Sequence, residues 1–143
     1  MASSRARSND TLALTLRVLV VAALAVSAYA HFKLAKDYDH DAGGSIRQST
    51  LFQIQGVLAS LAALFLVINA RVIGWLPAFS LAAGSLFAVL LYRYVQVGTL
   101  GPLPDMTDMT WTSRSNLKVI SAIAEGVGTV GAAAGLLLVG TRR

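Results

Sequence analysis

The chain has 143 residues, 55% of them hydrophobic and only 13% charged, with mean hydropathy +0.63. Soluble domains carry about a quarter charged residues, so this composition with four long apolar stretches leaves an integral membrane protein as the class that fits. There are no cysteines, which excludes disulfides, thiolate metal sites and thiol catalysis. The formal charge of +5 does not point to nucleic acid, because the basic residues fall mostly near the ends of the apolar stretches, where lipid head groups and orientation rules account for them.

Met1 to Thr11 reads as a short polar tail holding Arg5 and Arg7. The first predicted span covers about residues 12–30, with Arg17 close enough to its start to snorkel to the head groups. A rival reading stands beside it. Basic residues, an apolar run from Val18 to Ala28 and the Ala28-Tyr29-Ala30 triplet also resemble a signal peptide cut after Ala30. A polar loop over 31–50 follows, with Gly43-Gly44 as its turn. It holds His31 and His40 among Asp37, Asp39 and Asp41, and a metal or haem site through His31 is the weakest functional option. Two histidines nine apart match no recognised ligand spacing.

The second span is predicted over 51–70 and the third over 72–97, joined so tightly at Asn69 to Arg71 that they form an antiparallel hairpin. Pro77 lies early in the third span, where a proline costs least. A second outer loop, 98–116, contains Gly101, Pro102, Pro104 and Trp111, and Asp105 and Asp108 on it are a candidate docking surface. The fourth span covers 117–139. The fold expected is an all-α, four-helix antiparallel membrane bundle forming one domain.

Orientation follows from lysine and arginine near the span ends. Arg5, Arg7, Arg17, Arg71, Arg142 and Arg143 share one side, against Lys33, Lys36, Arg47, Arg114 and Lys118 on the other. Both termini are therefore placed in the cytoplasm.

Spacings of three and four put residues on one helix face. These faces link Ala23, Ser27 and His31; Gln53, Gly56 and Ser60; Ser80, Gly84, Ala88 and Tyr92, beside a row of Ser85, Val89 and Arg93; and Ser121, Glu125, Gly128, Ala132 and Gly135. Gly56, Gly84, Gly128, Gly131 and Gly135 are the expected points of close helix approach. Glu125 lies eight residues into its span, about 12 Å, and Arg93 five residues before Gly98, about 7 Å. An Arg93–Glu125 ion pair across spans three and four is thus expected, with His31, Gln53, Tyr92 and Ser121 forming a polar cluster around it.

The order of span, His31-Phe32-Lys33-Leu34, tight hairpin, Tyr92-Arg93-Tyr94, Gly101-Pro102-Leu103-Pro104-Asp105 and Ala124-Glu125 resembles small four-helix bacterial membrane proteins of uncharacterised function. The resemblance implies a plasma-membrane bundle and names no chemistry. No phosphate loop, hydrolase elbow or H-E-x-x-H motif occurs, and no cofactor is expected. The leading functional expectation is a non-enzymatic subunit, partnered by the bilayer and by a larger membrane complex or its own copies. The alternative is a proton, ion or small-solute pathway in which Glu125 titrates.

Overall fold

A computed structural model describes residues 2–39, 43–107 and 116–141. Four helices account for most of them: α1 (Ala2–Asp37), α2 (Gln48–Ile68), α3 (Val72–Tyr94) and α4 (Asn116–Gly140). Each is long and apolar enough to cross a membrane. They run up and down in sequence order, so the start of α1 and the end of α4 share one end of the bundle. In cross-section α1 packs along α2 and α4, and α3 packs on α4, while the diagonal pairs scarcely meet.

The boundaries of α2 and α4 fall within three residues of expectation, but α1 does not stop at Ala30. It begins at Ala2, inside the expected polar tail, and passes through His31 to Asp37. No Gly or Pro interrupts residues 2–37, so nothing in the backbone chemistry ends the helix where hydrophobicity falls. Leu34 and Ala35 then bury against Phe52, rewarding the extension. At 36 residues α1 is about 54 Å long, well beyond a hydrocarbon core of about 30 Å. The loop between α1 and α2 is correspondingly shorter than 31–50. In the opposite sense, α3 ends at Tyr94 rather than Val97.

At the α2–α3 turn, Asn69 Oδ1 accepts the Arg71 N–H at 3.1 Å and the Trp75 indole donates to Ala70 O at 3.1 Å. Gly74 is obligatory there, since a Cβ would lie 1.8 Å from Asn69 O. Arg17 does not extend away from the protein as a snorkelling residue would. Its Nε donates to Leu66 O at 2.8 Å and its terminal nitrogen to Val67 O, satisfying carbonyls that the end of α2 leaves open.

The opposite end is closed by two docked loops. Ser45 and Ile46 N–H groups both donate to Pro102 O, and Gly44, at φ +79°, sits where a Cβ would be 2.7 Å from Leu103 O. Met106 N–H returns to Val97 O, and Pro104 and Met106 are buried. The Thr107 N–H bonded to Asp105 holds that exposed carboxyl below its ordinary range. His40, Asp41, Asp108, Trp111, Arg114, Arg142 and Arg143 lie outside the described residues.

The core below mid-height is apolar: Val20, Leu24, Ala62, Ala63, Leu66, Trp75, Ala78, Ala82 and Ala132. Glycines let it close. A Cβ on Gly135 would sit 2.3 Å from the Trp75 ring, one on Gly131 2.8 Å from Val20, one on Gly56 2.9 Å from Phe32 and one on Gly128 3.3 Å from Ala82. Gly84 differs from the other expected packing glycines, because a Cβ there meets nothing within 4 Å.

This contrast is testable. Gly135→Ala and Gly84→Ala both gain about 1 kcal/mol of helix propensity, and only the first collides with a buried ring. Thermal unfolding of the purified variants should place Gly135→Ala about 1–3 kcal/mol below Gly84→Ala.

Candidate functional site

Above the apolar core lies a layer to which all four helices contribute one or two polar side chains. Glu125 on α4 is its centre, with a side chain 1% exposed. Its Oε1 accepts hydroxyl hydrogens from Ser27 of α1 at 3.1 Å, Ser85 of α3 at 3.0 Å and Ser121 of α4 at 2.9 Å. From α2, Gln55 Nε2 donates to Ser85 Oγ at 2.6 Å. His31 of α1 completes the layer, its Nε2 3.8 Å from Oε1. Glu125 Oε2 is buried and has no hydrogen-bond partner.

The layer is level. At 1.5 Å per residue, His31 is about 9 Å from the end of α1, Gln55 about 10 Å from the start of α2, Ser85 about 13 Å from the end of α3 and Glu125 about 13 Å from the start of α4. Helical spacing explains the local pairs: Ser121 and Glu125 are four apart, as are Ser27 and His31, so each pair shares a face.

The histidine tautomer follows from its partners. His31 Nδ1 is 2.8 Å from Ser27 O, and a carbonyl only accepts, so Nδ1 carries a hydrogen. Ser27 Oγ, 3.4 Å away, shares that donor while giving its own hydrogen to Glu125. Nε2 therefore faces the carboxyl either as a lone pair or, in the imidazolium, as a second N–H.

A hydrolytic triad is a different arrangement. There the histidine lies between hydroxyl and acid, whereas here the acid takes the Ser27 hydrogen directly and Nδ1 is committed to a carbonyl. Among the described residues, no three potential metal-ligating side chains converge.

Of the expected cluster, the structure brings together Glu125, Ser121 and His31, with Tyr92 half-buried beside them. His31, Tyr92, Lys118 and Ser121 line a cavity of about 20 Å³, room for a single water molecule, whose remaining wall is Leu34, Phe52 and Val89. The Arg93–Glu125 pair is not formed. Because α3 ends at Tyr94, Arg93 falls in its last turn, about 12 Å along the axis from Ser85, and its guanidinium lies 5.2 Å from the Tyr94 ring centroid. Gln53 is not in the layer either. It is exposed and faces the Phe32–Lys36 side of α1, and Gln55 takes the place expected of it.

Ser27, Ser85, Gln55 and Lys118 are the members that the sequence reading left out of the cluster. A signal for Gln55 was available: Phe52, Gly56, Ala59, Ala63 and Leu66 are the buried stripe of α2, and Gln55 lies between Phe52 and Ala59 on its edge. Lys118 is buried with its ammonium 4.8 Å from the Tyr38 ring centroid, a cation–π seat that spacing alone does not disclose.

Substitution of Glu125 separates shape from charge. Glutamine keeps an oxygen able to accept the three serines, whereas leucine strips them of their acceptor. Glu125→Gln should unfold near the parent temperature and Glu125→Leu about 1–3 kcal/mol lower, read by thermal unfolding in the same detergent.

The chain matches no protein-family model, no curated protein and no solved structure.

Proposed function

We propose that this is a non-enzymatic, multi-pass membrane protein that binds one proton at the His31–Glu125 couple and exchanges it with one face of the membrane. The observation that carries this reading is Glu125 itself. One carboxyl oxygen accepts three hydroxyls and the other is buried without a partner, 3.8 Å from a histidine nitrogen at the first. A carboxylate buried in this way carries a charge that one proton, on the acid or on the neighbouring imidazole, offsets.

Membrane insertion is supported by the four apolar helices and by large outward-facing side chains along them, such as Leu61, Ile68, Phe87, Val130 and Leu137. The arginine-rich end, with Arg7, Arg17 and Arg71, is assigned to the cytoplasm of a bacterial cell. The polar layer then opens toward the outer face.

The site favours binding over conduction. Toward the outer end, His31 adjoins the small cavity and the titratable Tyr92 and Lys118, with Tyr38 beyond; α2 offers Gln55 and no titratable group. Toward the inner end lie Val20, Leu24, Ala82, Ala132 and Trp75, which give a proton no polar step. A subunit role ranks behind this reading because the polar groups converge inside the chain and not on its surface.

Infrared difference spectroscopy of the protein in phospholipid vesicles, recorded across pH, is the test. A single buried carboxylic C=O band should appear and vanish with pH and be absent from Glu125→Gln. A pH-dependent spectrum identical in parent and Glu125→Gln overturns the reading.

A further inference from the structure

We infer that the seam between α2 and α3 is a binding site for a neutral, carbonyl-bearing amphiphile with one apolar tail, the chemistry of a prenyl quinone. Of the four neighbouring helix pairs this one packs most loosely. Two cavities lie along it, about 460 and 410 Å³, and both are lined by Ser80 and Leu81, so they adjoin along one groove between the helices. Each is within the size range of ligand pockets. On α3 the groove runs from Pro77 to Tyr92, about 22 Å.

The two ends of the groove differ chemically. The inner end is walled by Leu58, Leu61, Phe65 and Pro77, a fit for a hydrocarbon tail. The outer end presents Gln55, Ser85, Tyr92 and His31. Gln55 spends one amide hydrogen on Ser85, and its second and the Tyr92 hydroxyl, both on the groove lining, can donate to an acceptor such as a carbonyl. Gly84 lies on this wall with open space over its Cα, so the groove owes its width to the absence of a side chain there.

Depth selects among occupants. Gln55 and Ser85 sit about 10 and 13 Å from the ends of their helices, in the hydrocarbon region of the membrane proposed above. A phospholipid keeps its charged head group at the interface, since charge at that depth is costly. A molecule whose polar atoms reach these donors is therefore uncharged. The inference rests on membrane insertion, and it does not depend on whether Glu125 titrates.

The test uses the full chain in phospholipid nanodiscs, a photoreactive azido-quinone as label and ubiquinone-2 as competitor. Label should concentrate on peptides containing Gln55 and Tyr92 and be displaced by ubiquinone-2. Gly84→Leu, whose side chain enters open space, should unfold at or above the parent temperature yet take up at least about tenfold less label. Labelling spread evenly over the lipid-facing helices, displaced by phospholipid alone, or unchanged in Gly84→Leu overturns the inference. Glu125→Gln should still concentrate label on the Gln55 and Tyr92 peptides, so failure of the proton reading leaves this result standing, and a chain that never enters nanodiscs fails the membrane reading first.

Discussion

One carboxyl oxygen receiving three serine hydroxyls is the constraint on which the bundle's register depends. Burying a carboxyl is expensive unless its hydrogen bonds are replaced, and here the replacements come from α1, α3 and α4 at once. Shifting α1 or α3 by one residue against α4 turns its face by about 100° and removes the Ser27 or Ser85 donor. The glycines do a complementary job. Gly128, Gly131 and Gly135 continue below Glu125 on α4 and let Ala82, Val20 and Trp75 come close. They set how near the helices lie, and the acid sets which residues face each other.

Much of this was readable from residues alone, and the omissions have physical causes. Four helices, the tight turn at Asn69 to Arg71, the tolerance of Pro77 and the importance of Glu125 follow from apolar length, turn chemistry and the cost of buried charge. Arg93 stands out in the sequence as a partner because opposite charge is the strongest single neighbour. Ser27 and Ser85 fall outside the expected cluster because each alone is a weak donor that commonly bonds its own helix; only the fold makes them converge with Ser121. The extension of α1 to Asp37 was hidden for another reason. Hydropathy registers where lipid contact ends, whereas the helix ends where backbone and packing end it.

The four seams are built unequally, and the sequence carries the difference in its small residues. Phe32 covers Gly56 where α1 meets α2, Val20 covers Gly131 where α1 meets α4, and Trp75 covers Gly135 where α3 meets α4. Each of these glycines answers a larger side chain opposite. Gly84 has no such answer across the α2–α3 seam, which explains why a small-residue stripe that reads as a packing face ends up lining a groove.

Ser85 joins the two proposed sites. It accepts from Gln55 on the groove side and donates to Glu125 on the core side, so the groove's donor is held by the same hydroxyl that senses the carboxyl's charge. A hydroxyl bonded to a carboxylate makes roughly twice as strong a hydrogen bond as one bonded to a neutral acid, and chained hydrogen bonds polarise one another. With the carboxyl charged, Ser85 Oγ is the better acceptor and draws the Gln55 amide toward the core. With the proton on Oε2, that pull relaxes and Gln55 turns more readily to a carbonyl in the groove. Thermodynamic reciprocity then requires the converse, that an occupant bonded to Gln55 favours the protonated acid. The proposed proton site and the proposed amphiphile site share this one serine, and through it they would respond to each other as a single coupled device.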